Sequence, residues 1–123
     1  MSKKGILVVD DAKFTRNQIK RVIDGIDNGE VIGEAENGNE AVLLHEKLKP
    51  DLVTMDLVMP EKGGVQAIEE IIRMDKSAII IVISAIGLSD LILEATEKGA
   101  KEFIVKPFKP HDLHKVFENH LRA

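Results

Sequence analysis

Five short runs of aliphatic, mostly β-branched residues punctuate the chain. Each is followed by a longer stretch whose apolar residues return at steps of three and four. The runs cover positions 6–9, 31–35, 51–55, 79–83 and 103–105. Four of them are almost continuously apolar, the pattern of parallel strands covered on both faces rather than of half-exposed hairpin strands. Between them, Ile19, Val22, Ile23 and Ile26 mark one helical stripe. Ala41, Leu44 and Leu48 mark a second, and Val65, Ile68, Ile71 and Ile72 a third; Leu113, Val116, Phe117, His120 and Leu121 close the chain with another. Strand and helix alternating five times predict an α/β sheet with helices on both faces, because a parallel strand is reached only through a crossover.

The boundaries carry matching chemistry. Asn37 with Glu40 three residues later reads as a helix N-cap and its capping-box partner. Pro50 should stop the second helix, and Pro110 fits the first turn of the last. Gly99 falls where a helix end often turns left-handed. No stretch reads as a linker, so residues 1–123 are expected to form one domain with no output domain.

Composition narrows the function. Seventeen Lys and Arg against twenty-one Asp and Glu leave a net charge of −4, which argues against a nucleic-acid or anionic-membrane surface. The chain lacks Cys, which excludes disulfides and thiolate metal sites. The apolar run at 6–9 is too short for a signal peptide, and that at 78–83 is far below a membrane span. The expectation is a cytoplasmic protein.

Polar residues gather where the strands are predicted to end. The first run leads into Asp10 and Asp11, the third into Asp56, the fourth into Ser84 and the fifth into Lys106. In open α/β sheets ligands bind at this edge, near the point where strand order reverses. Three crowded carboxylates repel unless a cation or proton sits among them, and an all-oxygen donor set favours Mg²⁺ or a similar hard cation. A metal, a carboxylate nucleophile and an ammonium suffice for phosphoryl transfer, which depends mostly on positioning and charge neutralisation. Read singly, each residue has a plainer role: Asp10 and Asp11 could favour a helix start, Asp56 a turn before Pro60, and Lys106 the solvent.

Taken together, these residues resemble a known family. Val8-Val9-Asp10-Asp11, Asp56-Leu57-Val58-Met59-Pro60 with Gly64, Ser84-Ala85, Gly99-Ala100 and Phe103-Ile104-Val105-Lys106-Pro107-Phe108 follow the order and spacing of the receiver domains of bacterial two-component response regulators. Within that family the chain is similar to the single-domain receivers of chemotaxis. The resemblance implies a flavodoxin-like, doubly wound five-stranded parallel sheet of order 2-1-3-4-5 with five helices. It implies Asp56 as the phosphoacceptor, Asp11 as a direct Mg²⁺ ligand, and Asp10 as an acidic partner acting largely through water. The backbone carbonyl of Val58 matches a third protein ligand. Ser84 should bond the phosphoryl group, Lys106 should pair with another of its oxygens, and the Lys106–Pro107 bond should be cis. Phe103 holds the position of an aromatic switch in that resemblance, although as a strand aromatic it is expected to be partly a core residue.

The same resemblance implies a histidine kinase as phosphodonor and a protein target such as a flagellar motor switch component, with phosphorelay shuttling or kinase regulation as alternatives. Leu91, Ile92 and Leu93 are consecutive, so at least one must leave the buried face of its helix; with Phe103 they form the expected partner surface. Val58 and Ile86 flank the expected path of attacking water, and being apolar they predict slow autodephosphorylation. The chain is therefore read as a self-phosphorylating signalling domain rather than a turnover enzyme. A flavin or nucleotide binder would want a phosphate-cradling loop where Asp10 and Asp11 stand, and stacking Trp or Tyr, which the chain lacks. An aspartyl-phosphate phosphatase of the haloacid-dehalogenase type would want an Asp where Val58 stands. His111 and His114, three apart, have no third metal ligand in view and are expected at the surface.

Overall fold

A computed structural model describes residues 3–85 and 87–121. Strands and helices alternate without exception: β1 (Lys4–Val9), α1 (Lys13–Asp24), β2 (Gly29–Ala35), α2 (Gly38–Leu48), β3 (Leu52–Met55), α3 (Gly64–Met74), β4 (Ile80–Ala85), α4 (Ser89–Glu97), β5 (Glu102–Lys106) and α5 (Pro110–His120). All strand pairs are parallel, and the sheet order is β2-β1-β3-β4-β5. Strand order reverses between β1 and β3, which opens the ligand crevice at their carboxyl ends.

The period-two alternation of the strands splits the core into two layers. Leu7, Val9, Val53, Met55, Ile80 and Val82 face α2, α3 and α4, where Ala41, Ala67, Ile68, Ile71 and Ala95 receive them. Ile6, Val8, Leu52, Ile81 and Ile83 face α1 and α5, against Ile19, Ile23, Leu113 and Phe117. Met55 is fully buried and Met59 packs on the first layer. Burying a side chain of this kind stabilises the fold by about 1.5–3 kcal/mol, and β1, β3 and β4 bury nearly all of theirs. The edge strands β2 and β5 are covered less completely. No helix among the described residues is long and apolar enough to cross a membrane.

Local signals hold with small displacements. Asn37 caps α2 by accepting the Glu40 N–H at 2.9 Å, while the Glu40 carboxylate accepts from Glu36 N–H at 2.8 Å, one residue before the expected Asn37. Helix α2 ends at Leu48, with Lys49 in the left-handed region (φ 49°) before Pro50. Pro110 opens α5. Gly99 takes φ 122°, and a Cβ there would meet the Ile72 side chain at 2.9 Å, so both backbone and packing require glycine. The fourth strand is shifted from 79–83 to Ile80–Ala85, because its pairing with β5 continues through Ser84–Val105 and Ala85–Lys106. Ser84 is thus inside the strand rather than beyond its end.

Candidate functional site

The reversal point collects the charged residues. Asp10 directly follows β1, Asp11 follows it, and Asp56 follows β3, paired to β1 through Val9–Met55. One carboxylate oxygen from each lies within 4.8 Å of the other two. Asp10 and Asp56 are buried and Asp11 is exposed, so the cluster is open to solvent on one side. Gly64 lets the loop after β3 close tightly, since a Cβ there would overlap the carbonyl oxygen of Asp56.

Lys106, at the end of β5, brings its ammonium into the cluster. Its Nζ lies 2.6 Å from Asp10 Oδ2 and 3.6 Å from Asp56 Oδ1. Asp10 thus binds the ammonium directly, and Lys106 pairs with Asp10 more closely than with Asp56. Asp10 is only 1% exposed, and so deeply buried a charge needs an opposite charge and hydrogen bonds. Its other oxygen accepts the Ala12 N–H at 2.9 Å, fixing the turn into α1. The Lys106–Pro107 peptide is cis.

Asp56 has the weaker compensation. Its Oδ1 accepts the Leu57 N–H at 2.9 Å. Burial first, and then the Asp10 charge, push its carboxyl up to about 6, with Lys106 opposing and Asp11 adding to the rise. Ser84 stands in the adjacent strand, fully buried, and its Oγ has no hydrogen-bond partner. A buried hydroxyl left unpaired is destabilising and calls for a partner from outside the described side chains. Val58 follows Asp56 with its side chain exposed. Ile86 lies outside the described residues.

On the flank, Phe103 is 51% exposed on β5, so its ring points outward rather than into the core. Leu91 and Ile92 pack against the core layer beneath α4, and Leu93 is 60% exposed. Ile92, Leu93, Phe103 and Val105 line a largely apolar depression of about 540 Å³ between α4 and β5. His111 is exposed on α5, and His114 pairs with Glu118 at 3.2 Å; neither joins the acidic cluster. One participant was not singled out from the sequence: Arg16, buried on α1, whose Nη1 donates to the Asp10 carbonyl at 2.7 Å. A basic residue at a buried position of an apolar helical stripe was the available signal.

This fold and this edge define the class, and comparison with known proteins agrees. Residues 6–118 match the model of the response regulator receiver domain, and the chain belongs to that family. It is 52% identical to the chemotaxis protein CheY of Thermotoga maritima over 107 residues, covering 87% of this chain and 88% of that one. Identity to CheY of Bacillus subtilis is 50% over 105 residues, covering 85% and 86%. Among solved structures, the CheX–CheY–BeF3–Mg complex of Borrelia burgdorferi superposes with a TM-score of 0.89 at 33% identity, covering 98% of this chain and 92% of the other. The response regulator domain of Thermotoga maritima CheB gives 0.89 at 30% identity, with 98% of both chains covered. The chain is a CheY-like response regulator receiver.

Proposed function

We propose that the chain accepts a phosphoryl group on a carboxylate oxygen of Asp56 from the phosphohistidine of a kinase, and that the phosphorylated form binds a protein target in chemotaxis, at a flagellar motor switch. The observation that carries this reading is the convergence of three carboxylates within 4.8 Å beside one ammonium and a buried hydroxyl with no partner. These residues suit a hard divalent cation: the donors are all oxygen, the carboxylates outnumber the ammonium, and one side is open. Mg²⁺ would be held by Asp10, Asp11, Asp56 and the Val58 carbonyl, and would supply neutralisation of the charge on the transferred group.

The chain's own residues do the rest. Asp56, raised to about 6, is mostly ionised at neutral pH and can act as nucleophile; the P–N bond to the donor imidazole breaks as the P–O bond to Asp56 forms. Lys106 can follow the new charge, since its ammonium already touches both Asp10 and Asp56. Ser84 donates its free hydroxyl to a phosphoryl oxygen. Phe103 then turns from solvent into the space that Ser84 vacates, changing the surface formed with Leu91, Ile92 and Leu93. The phosphoryl group shifts this equilibrium only by its preference for one state. The chain labels itself and loses the label slowly, and is not a turnover enzyme.

The test is intact-mass measurement after incubation with acetyl phosphate and Mg²⁺. The wild type gains one phosphoryl group, and Asp56→Asn gains none. Labelling of the Asn variant at the same site and rate, or of neither protein, overturns the reading.

A further inference from the structure

The guanidinium of Arg16 meets one backbone carbonyl, that of Asp10, and two carboxylate side chains, Glu34 and Glu36. Arg16 sits in the first turn of α1 and is 7% exposed, an unusual depth for an arginine without multiple partners. Its Nη1 donates to the Asp10 carbonyl at 2.7 Å, its Nε donates to Glu34 Oε1 at 2.9 Å, and Nη2 lies 3.7 Å from Glu36 Oε1. Glu34 is in turn held by Lys20 at 2.9 Å, and its carboxyl lies below the usual carboxylate range, through Lys20 first and then Arg16. One planar fork thus clamps the end of β1 to the end of β2 and to the start of α1.

What the clamp holds is the backbone of Asp10. The carboxylate of that residue receives Lys106 and the Ala12 N–H, and Asp11 is the next residue along. We infer that Arg16 is a positioning residue: by bonding the Asp10 carbonyl it fixes the turn that aims the Asp10 and Asp11 carboxylates, and so sets the site's affinity for a divalent cation without touching the cation. The inference rests on the proposed Mg²⁺ site and extends it to a residue outside the acidic cluster.

Charge and positioning predict opposite signs. Arg16 is a positive charge beside a cation site, so by Coulomb's law its removal should tighten Mg²⁺ binding. As a positioning residue, its removal should loosen binding, by about 10–100-fold, as when groups supporting metal ligands are removed. Arg16→Met keeps the apolar stem and loses the fork. Arg16→Lys keeps charge and length but cannot make the planar two-sided contact, so charge predicts no change and positioning a loss of roughly threefold to tenfold. Lys20→Met, which removes a charge from the same surface but no bond to Asp10, should bind as the wild type does, within about twofold.

The experiment is calorimetric titration of the metal-free proteins with MgCl₂ at fixed ionic strength, with thermal unfolding in EDTA as a check that each variant is folded. Arg16→Lys retains charge and stem, and remains informative if Arg16→Met does not fold. Weaker binding by both Arg16 variants with Lys20→Met unchanged supports the inference. Wild-type binding matched within twofold by Arg16→Lys, or exceeded by Arg16→Met, overturns it and leaves the Mg²⁺ reading standing. A wild type that does not bind Mg²⁺ overturns that reading, and the inference with it.

Discussion

The two ends of the sheet place their carboxylates in different surroundings. At the amino end, Asp51 accepts the Gly5 N–H at 2.7 Å, and Asp75 accepts both the N–H and the hydroxyl of Ser77 at 3.0 and 2.8 Å. The Asp75 carboxyl is held below its usual range, chiefly by that hydroxyl. At the carboxyl end, Asp56 is pushed up to about 6 among Asp10 and Asp11, and Ser84 Oγ has no partner. Asp10 and Asp56 also accept backbone N–H groups, but three like charges crowd their end and a buried hydroxyl beside them is unpaired. Local instability at the second end is the expected signature of a site completed by something from outside.

The largest expected effect breaks that asymmetry. A carboxyl raised from 3.8 to about 6 should destabilise the metal-free fold at neutral pH, by at most about 3 kcal/mol and less where solvent screens it. The sign follows from the native state holding the proton more tightly: stability is full below about pH 4 and is lost as pH rises through about 6. Asp56→Asn should therefore be the more stable protein above pH 6 in EDTA, with the difference shrinking toward pH 4 and also on adding Mg²⁺. Urea unfolding across that range checks it, and a wild type as stable as the variant at pH 7 would remove the electrostatic account.

The opposite end should respond in the opposite direction. Asp51→Ala strips the buried Gly5 N–H of its acceptor and should lose about 1–3 kcal/mol, with Mg²⁺ binding and Asp56 labelling unchanged. If it stabilises, the two ends do not differ as described.

A smaller effect concerns the one imperfect feature of the amino end. His45 is buried with Nδ1 unpartnered and Nε2 3.6 Å from Asp75, and burial pulls its imidazole below the usual value despite Asp75. The unfolded chain takes up the proton first, so His45 should lower stability as pH falls below 6.5. His45→Gln should flatten that slope between pH 7.5 and 5.5; an unchanged slope assigns it to other groups.

The smallest effect is at the surface beside the carboxyl end. Leu93→Ala, at an exposed position, should change stability by less than about 0.5 kcal/mol. Target binding by the phosphorylated form should weaken for at least one of the Ala variants at Leu91, Ile92 and Leu93, measured by titration. Normal binding by all three places the output surface elsewhere.

Much of this was legible in the chain itself. Strand and helix periods are local, so the five repeats, the two-layer core and the caps at Asn37, Pro110 and Gly99 could be read directly. Strand ends could be read too, which places Asp10, Asp11, Asp56 and Lys106 on one edge. Errors of a residue or two arose where pairing overrides propensity, as in the extension of β4 through Ser84 and Ala85. The orientation of Phe103 was not legible, because a strand aromatic suits either a core or an exposed edge.

Sequence alone determined which carboxylates and which ammonium reach the site, because each sits at a fixed offset from a strand whose pattern is local. Tertiary structure decided how those groups pair. Lys106 chooses Asp10 across 96 positions of chain, Arg16 clamps two strand ends, and the proton affinity of Asp56 follows from burial and from neighbours on other strands. Electrostatic energies depend on distances of a few ångströms and on exclusion of water, and the folded sheet alone sets both.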